Sequence, residues 1–268
     1  MSIKESILRI VFPIGSNGSI RLGPMKGMQY LINHNSRWAP IFGRWEPELQ
    51  SVFCEVIKEG DVVYDLGTNF GLHTMLFSRL VGESGKVYSF EPLVKNIKLI
   101  NNNLQLNNIQ NVTPVNCAVT NYKGSTKFNL GVHDGQGSMQ GIGSESGETI
   151  EVETTTLDDF IGTGNSMPDV IKIDIEGEES NALIGFKESI GKCKPTIIVE
   201  LHTPEQDKRV GEFFIEHGYL AYRIIKTNYD SNSPIKYLSR IEDLSSPWPT
   251  ENGIWGTVVG VHADNPLF

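Results

Sequence analysis

Cysteine and basic charge are both scarce in this sequence, and each shortage excludes a class of protein. The three cysteines, Cys54, Cys117 and Cys193, are far apart and form no C-x-x-C pair. An odd, scattered set of this kind predicts buried thiols in a reducing compartment, and neither a disulfide framework nor a zinc site. The formal net charge is -9, whereas a phosphate backbone is bound by a basic face, so we expect no nucleic-acid partner.

Long apolar runs are scarce as well. The N-terminal stretch, M-S-I-K-E-S-I-L-R-I-V-F-P-I, is too short and too charged to form a signal peptide or a membrane span. We therefore expect no membrane span and a cytoplasmic location. With 268 residues of ordinary globular composition, the chain suits one large α/β domain with a small addition.

The most informative stretch is Asp61–Thr74, D-V-V-Y-D-L-G-T-N-F-G-L-H-T. Its β-branched start, its two glycines and the apolar helical pattern that follows predict a buried strand, a tight turn and a helix. Glycines let a backbone approach a ligand closely, and a helix N-terminus offers unpaired N–H groups. The glycine spacing fits neither the dinucleotide fingerprint G-x-G-x-x-G nor the phosphate loop G-x-x-x-x-G-K-[ST]. A purely structural turn is the alternative interpretation.

Strand and helix patterns alternate after this stretch, which predicts an α/β fold with a doubly wound, mostly parallel sheet. Two late strands with no helix between them predict a C-terminal antiparallel hairpin that completes a seven-stranded sheet. The predicted strands after Val62–Tyr64 are Lys86–Phe90, Val112–Val119, Asp169–Ile173, Pro195–Leu201, Tyr219–Ile225 and Ile254–His262. Predicted helices include Glu46–Glu59, Glu178–Ile190 and Pro204–His217.

Residues 1–45 do not continue this alternation. We assign them to a small β-rich N-terminal extension of a main domain that comprises residues 46–268. Ile3–Val11 predicts a short amphipathic helix, and Ser19–Leu22 with Met28–Ile32 predict a hairpin around the turn G-P-M-K-G. The extension either packs on the core as a flap or forms a lid or wall on the acceptor side.

A second irregular region, Gly131–Thr149, is rich in glycine and serine and separates the predicted strands Thr126–Leu130 and Ile150–Thr154. Loops of this length in compact domains are usually functional or mobile. We expect a mobile active-site loop here, with a plain disordered insertion as the alternative.

Polar residues end each of the first five predicted sheet strands, where a parallel sheet brings its strand ends together. They are Asp65, Glu91, Asn116, Asp174, and Glu200 with His202. Glu91 lies about twenty residues after the glycine turn, the offset at which a carboxylate binds a ribose diol in nucleotide-binding folds. A helix N-terminal role is the alternative for Glu91. Asn116, with neighbouring Cys117 and Ala118, lies where an adenine ring would rest.

Asp174 and Glu176 are two residues apart, so they share one face if the strand continues. Paired carboxylates are costly to bury unless they serve a cation or a proton transfer. We consider them as partners of a sulfonium, as a general base or as divalent-metal ligands, with capping of the next helix as the plain alternative. His202 is a further general-base candidate, although a lone histidine is more often structural. The sequence by itself assigns no metal ligand.

Together, these segments resemble the FkbM family of S-adenosylmethionine (SAM)-dependent methyltransferases. The matching segments run from about Gly43 to His202 and are G-R-W-E-P-E-L, G-D-V-V-Y-D-L-G-T-N-F-G-L-H-T, G-K-V-Y-S-F-E-P, N-V-T-P-V-N-C-A-V, T-T-L-D-D-F, V-I-K-I-D-I-E-G-E-E and I-I-V-E-L-H. The glycine turn is shared across the superfamily, whereas I-K-I-D-I-E-G-E-E is the most family-specific segment. Thr68 stands where the family usually has alanine, and the regions before Gly43 and after Tyr219 match weakly.

The resemblance implies a class I methyltransferase fold, SAM as the cofactor and, frequently, O-methylation of a hydroxyl on a sugar or natural product. It implies that the methionine end of SAM is held by Asp65, Gly67, Asn69 and Gly71, with Thr74 at the end of the same stretch. It further implies that Glu91 holds the ribose, that Asn116 and Ala118 border the adenine, and that Glu46 lies close to the donor.

The expected reaction is direct displacement at the SAM methyl group, because the sulfonium is already a good leaving group and alignment supplies much of the catalysis. A small-molecule alcohol acceptor also needs its proton removed, for which the catalytic candidates are Asp174, Glu176 and His202, with or without a divalent metal. One rival function is a non-catalytic SAM- or nucleoside-binding module. Another is an NAD-dependent oxidoreductase, which the missing G-x-G-x-x-G disfavours.

Overall fold

The computed structural model describes residues 10–33, 38–131, 137–141, 147–224, 238–244 and 256–265. Within these ranges its helices, in chain order, are α1 Pro47–Val56, α2 Leu72–Val81, α3 Val94–Leu106, α4 Leu157–Gly162, α5 Glu179–Ile184, α6 Ile190–Cys193 and α7 Pro204–Glu216. Its strands are β1 Asn17–Ser19, β2 Gln29–Leu31, β3 Val62–Leu66, β4 Lys86–Phe90, β5 Val112–Val115, β6 Ala118–Val119, β7 Gly124–Leu130, β8 Gly137–Ser138, β9 Thr149–Thr155, β10 Val170–Ile173, β11 Thr196–Leu201, β12 Tyr219–Ile224, β13 Leu238–Arg240 and β14 Gly256–His262. A short 3-10 helix, Pro40–Phe42, precedes α1.

Eight strands form the main sheet, in the order β13-β12-β14-β11-β10-β3-β4-β5. The strands from β11 to β5 run parallel, and β14 lies antiparallel between β11 and β12. This arrangement confirms the doubly wound, mostly parallel sheet that finishes with an antiparallel pair. The sheet has one strand more than predicted, because the three-residue edge strand β13 is too short to leave a pattern in the sequence.

The register of the central strands brings their carboxyl ends to one edge of the sheet. Ile173 of β10 pairs with Leu66 of β3, and Leu66 pairs with Phe90 of β4. Because each of these residues is the last of its strand, the loops that follow them begin side by side. That edge is where open α/β sheets bind ligands.

Helices pack on both faces of this sheet. The N-terminal hairpin, α1 and α2 form one apolar cluster, while α4, α5 and α7 contribute to a second. The predicted core-facing stripe of α1 is confirmed, since its apolar residues are buried: Leu49, Val52, Phe53 and Val56, followed by Ile57. Among the described residues, no helix combines the length and the apolarity needed to cross a membrane.

The predicted N-terminal hairpin is present as the antiparallel pair of β1 and β2, with its first strand earlier in the chain than expected. Asn103 of α3 and Asn107, which follows α3, accept hydrogen bonds from the backbone N–H groups of Leu31 and Gln29, at 2.9 and 2.7 Å. These amides satisfy backbone donors of β2 that would otherwise need another strand. Residues 3–9 of the predicted amphipathic helix lie outside the described residues.

A second, four-stranded sheet of order β6-β9-β7-β8 packs beside the main one. The predicted strands Thr126–Leu130 and Ile150–Thr154 are confirmed within β7 and β9, which pair antiparallel. The region between them was predicted to be irregular, which is wrong at β8, since Gly137 and Ser138 pair with the end of β7. A two-residue strand depends on its distant partner and leaves no periodic signal. Residues 132–136 and 142–146 of the predicted loop lie outside the described residues.

Two other predicted elements are interrupted. The strand predicted over 112–119 divides at Asn116, so that β5 joins the main sheet and β6 joins the second one. The helix predicted over 178–190 ends after Ile184 and resumes at Ile190. Gly185 lies at this break, where a Cβ would come within 2.4 Å of the carbonyl oxygen of Thr120, the residue after β6, so the chain packs too closely here for a side chain.

Candidate functional site

A cavity of about 330 Å³ opens over the carboxyl ends of the parallel strands. Its walls come from the loops after β3, β4, β10 and β11, from the segment before α1 and from the second sheet. The lining residues include Trp45, Glu46, Gly67, Asn69, Glu91, Leu93, Ala118, Phe128, Met139, Asp174, Glu176, Glu200 and His202. Eight residues that the sequence predicted for the donor site or for catalysis therefore line one cavity: Glu46, Gly67, Asn69, Glu91, Ala118, Asp174, Glu176 and His202.

Gly67 requires the absence of a side chain. Its φ is 76°, and a Cβ built there would lie 1.8 Å from the carbonyl oxygen of Asp174. The turn continues through Asn69, which also has a positive φ, of 54°, and donates its backbone N–H to Glu91 Oε2 at 2.9 Å. The glycine turn is thus pressed against the loop after β10 on one side and bonded to the end of β4 on the other.

Three of the predicted donor-binding residues lie beneath the turn and do not line the cavity. Asp65 and Thr74 are fully buried, and the Thr74 hydroxyl donates to Asp65 Oδ2 at 2.6 Å. Gly71 is the residue before α2, and a Cβ there would meet Ile100 of α3 at 3.1 Å. These residues support the turn from the protein interior. The sequence pattern is the same for a residue that supports the turn and for one that contacts the ligand, so it could not separate the two roles.

Glu91 lines the cavity and is only 4% exposed. Its two carboxylate oxygens accept the backbone N–H groups of Leu93 and Asn69, each at 2.9 Å. Burial raises the pKa of Glu91 to about 7, although these backbone donors oppose the shift. The carboxylate therefore links the glycine turn to the segment before α3, at the position where a ribose diol was expected.

Asn116 is exposed and does not line the cavity. Its amide donates to the carbonyl oxygens of Glu91 and Pro92, each at 2.9 Å, so it acts on the loop after β4 and not on the cavity itself. Next to it, Ala118 does face the cavity, in an apolar cluster with Leu93 and Phe128. Phe128 belongs to the second sheet, and no sequence signal connected it with this site.

A polar cluster in the wall of the cavity contains Asp174, Glu176 and His202. Nε2 of His202 lies 3.5 Å from Asp174 Oδ1 and 3.5 Å from Glu176 Oε2. Asp174 and Glu176 do not approach His202 because they share one face of a strand, as their spacing suggested. β10 ends at Ile173, and Glu176 has a φ of 52°. A tight loop brings both carboxylates to the same imidazole instead. Neither carboxylate accepts a hydrogen bond from the first turn of α5 among the described residues.

His202 is held from behind by Glu179, a fully buried carboxylate. Their separation, from Nδ1 to Oε1, is 2.6 Å, and because a carboxylate only accepts, the Nδ1–H donates. Burial favours the neutral ring, but the Glu179 hydrogen bond and the nearby carboxylates outweigh it and raise the pKa of His202 to about 9. In this arrangement the ring carries a proton at neutral pH, which argues against His202 as the unaided general base.

Lys172 contacts Asp174 from within the apolar strand V-I-K-I, and the sequence patterns did not predict this buried neighbour of the cavity. It is 4% exposed, and its Nζ lies 3.5 Å from Asp65 Oδ1 and 3.2 Å from Asp174 Oδ2. Burial alone would lower the pKa of Lys172, but these two carboxylates raise it above its ordinary value. A lysine between buried apolar residues needs an anionic partner. That requirement could have shown from the sequence that Lys172 lies close to carboxylates.

Glu46 approaches the cavity from the segment before α1, in a left-handed conformation with φ of 43°. Its Oε2 lies 3.4 Å from Nε2 of His73. Burial lowers the pKa of His73 to about 3, so the contact involves a neutral ring and is not an ion pair. His73 packs between Phe53 and Phe77 on the first turn of α2, which gives it a structural role.

Residues 65–221 match the family model of the methyltransferase FkbM domain. Among similar proteins, the hexuronic acid methyltransferase AglP of Haloferax volcanii is 26% identical over 190 residues, which cover 70% of this chain and 75% of that protein. A protein-L-isoaspartate O-methyltransferase of Methanococcoides burtonii is 32% identical over 71 residues, which cover 26% of this chain and 35% of that protein.

Among solved structures, the methyltransferase FkbM of Methylobacillus flagellatus aligns with a TM-score of 0.46 at 16% identity. The alignment covers 80% of this chain and 50% of that chain. This likeness is too distant to bear on substrate or mechanism.

Proposed function

Because the chain belongs to the FkbM family of SAM-dependent methyltransferases, we propose that it O-methylates a hydroxyl of a sugar or a similar small acceptor. The observation that carries this proposal is one cavity lined by two unlike, adjoining sets of residues. We name the glycine turn with Glu91 its donor end, and the neighbouring cluster of Asp174, Glu176 and His202 its acceptor end. A donor and a polar acceptor can meet in such a cavity.

At the donor end, we assign the methionine part of SAM to the turn at Gly67 and Asn69 and the ribose to Glu91. The apolar surface of Leu93, Ala118 and Phe128 suits a flat adenine ring. We assign supporting roles beneath or behind this surface to Asp65, Gly71, Thr74 and Asn116, which the hydrogen bonds and packing described above support. We also assign Glu46, which lines the same cavity, to a position close to the donor.

At the acceptor end, an oxygen lone pair attacks the methyl carbon of SAM, the new C–O bond forms and the C–S bond breaks with its electron pair left on sulfur. Holding the acceptor oxygen in line with that bond supplies much of the rate. The relative from Haloferax volcanii is a hexuronic acid methyltransferase, which supports a sugar-type acceptor here. Trp45 and Glu46 line this cavity, which supports the segment around residue 45 as an acceptor-side wall.

Calorimetric titration with SAM, its demethylated product and NAD tests the donor assignment. We expect binding of the first two compounds and none of NAD, and Glu91→Gln should weaken both SAM and product binding. Tight NAD binding without SAM binding would contradict the proposal and favour the oxidoreductase.

Methyl transfer from labelled SAM to a panel of uronic acids, neutral sugars and ribosomal RNA tests the acceptor assignment. We expect label on a sugar hydroxyl and none on RNA, in line with the acidic net charge of -9. SAM binding with no transfer to any hydroxyl-bearing acceptor would favour the non-catalytic module.

A further inference from the structure

The three polar side chains at the acceptor end of the cavity have the spacing of ligands around one ion. One ligand atom from each of Asp174, Glu176 and His202 lies within 4.8 Å of the other two. Ligands that share a cation with bonds of about 2.0–2.3 Å lie roughly 3–4 Å apart. The two separations of 3.5 Å between His202 Nε2 and the carboxylate oxygens fall in that interval and are long for direct hydrogen bonds.

His202 is prepared for coordination by its surroundings. The residue is 6% exposed, and its Nδ1–H is already bound to the buried Glu179. Nε2 is therefore the nitrogen open to a metal, and a bound cation would take the place of the Nε2 proton, which passes to water. Nε2 forms no hydrogen bond with any described residue and lies toward the carboxylates that line the cavity. A histidine oriented by a carboxylate on its far nitrogen is the usual arrangement behind a metal-bound imidazole.

The charge of this region also favours a cation. Asp174, Glu176 and Glu200 all line the cavity, and Glu179 lies directly behind His202. Lys172 is shared between Asp174 and Asp65, so it does not balance all of these carboxylates. Clustered carboxylates in a partly desolvated place are stabilised by a bound cation.

We propose that Asp174, Glu176 and His202 bind a divalent cation that coordinates the acceptor hydroxyl, an inference that rests on the proposed function. Two carboxylates and one imidazole suit Mg²⁺ or Mn²⁺, which leave coordination positions for water and substrate. The ion lowers the pKa of the bound hydroxyl, and the proton passes to water. The resulting oxygen attacks the SAM methyl carbon, and the electron pair of the broken C–S bond stays on sulfur.

Titration of the full-length protein with Mn²⁺ alone, followed by electron paramagnetic resonance, tests the site without any acceptor. We expect one saturable Mn²⁺ site in the wild type, and Glu176→Gln and Asp174→Asn should each weaken it by at least about tenfold. Glu176 is half-buried and in a loop, so its variant keeps the test valid if Asp174→Asn fails to fold. Glu188→Gln, at an exposed site in the turn between α5 and α6, is the matched control and should bind Mn²⁺ as the wild type does.

SAM affinity, measured on the same samples by calorimetry, separates the two proposals. A wild-type protein that binds SAM but has no saturable Mn²⁺ site would overturn the metal site and leave the proposed function standing. Protonated His202 would then be the charge that balances Asp174 and Glu176. Equal Mn²⁺ affinity in the wild type and in Glu176→Gln would also overturn it. Loss of methyl transfer on treatment with EDTA, restored by Mg²⁺ or Mn²⁺, is the expected second readout.

Discussion

The two ends of the cavity differ in how they are built. The donor end consists of consecutive backbone, a glycine turn bonded to Glu91, with a buried hydroxyl–carboxylate pair beneath it. The acceptor end consists of charged side chains from β10, β11 and the loop between β10 and α5, arranged as ion pairs. The donor end should therefore be sensitive to added atoms, and the acceptor end to lost charges.

The largest effect is expected at the donor end, for Gly67→Ala. The added Cβ would lie 1.8 Å from a backbone oxygen at a φ of 76°, so the loop after β10 must move. We expect a loss of more than about 4 kcal/mol in the free energy of unfolding, or no folded protein, measured by urea denaturation.

Gly162→Ala is the matched control for this change. A Cβ there has nothing within 4 Å and needs no unusual backbone conformation, so stability should stay within about 0.5 kcal/mol of the wild type. Equal stability of the two variants would mean that the turn is not pressed against Asp174 in solution.

The next effect is expected for Lys172→Met, which removes the cation between Asp65 and Asp174. Breaking a buried ion pair leaves uncompensated charge, and we expect a loss of about 3–5 kcal/mol in the free energy of unfolding. Lys194→Met removes a cation from the exposed carboxylate of Asp264, and thermal denaturation should hardly change. If both variants melt alike, Lys172 is not what balances the buried carboxylates.

A smaller effect is expected from pH on SAM binding. Burial raises the pKa of Glu91 to about 7, and only the ionised carboxylate accepts fully from a ribose diol. If that form binds SAM, affinity should fall about tenfold between pH 8 and pH 6. Lys172, the charged group that acts on Glu91, stays protonated throughout this interval. Calorimetry at the two pH values measures the change.

Glu91→Gln is the control, and its weaker SAM binding should lose this component of the pH dependence. The stability of the free enzyme should respond in the opposite sense. A raised folded pKa means that the folded protein holds the proton more tightly than the unfolded chain, so this contribution to stability decreases as pH rises from about 4.5 to about 7. An identical pH profile in the wild type and Glu91→Gln would rule out the ribose role.

The last comparison concerns two positions beside the proposed adenine surface, of which only Asn116 was predicted from the sequence. Phe128→Ala removes aromatic surface from the cavity wall and should weaken SAM binding by about tenfold. Asn116→Ala, whose amide only supports the loop after β4, should weaken it less than about threefold. Product-binding titrations of the two variants test this order. A larger loss of affinity for Asn116→Ala than for Phe128→Ala would mean that Asn116 contacts the ligand directly.

Several parts of the site could be predicted because they depend on neighbours in the chain. Gly67 and Asn69 follow directly from a buried strand, and Glu91 ends the next strand, so their shared edge follows from the parallel sheet. Asp174, Glu176 and His202 were predicted in the same way. Their separate roles remain proposals, although the proton on His202 argues against its use as a free base.

Other parts could not be predicted, because they depend on contacts between distant positions. Phe128 lines the cavity only because β7 belongs to the second sheet, which forms one wall of the cavity. Asn116 and Ala118 are two residues apart, yet only Ala118 lines the cavity, because the chain passes from one sheet to the other between them.

By itself, the sequence determined the alternation of strands and helices, the position of the glycine turn and the family. These properties depend on local periodicity, on backbone freedom and on residue type at fixed spacing. Only the tertiary structure decided which polar residues face the cavity and which lie beneath it. Lys172 shows the reason, because its ammonium donates to the carbonyl of Gly67, 105 positions earlier in the chain, and no local pattern records such a contact.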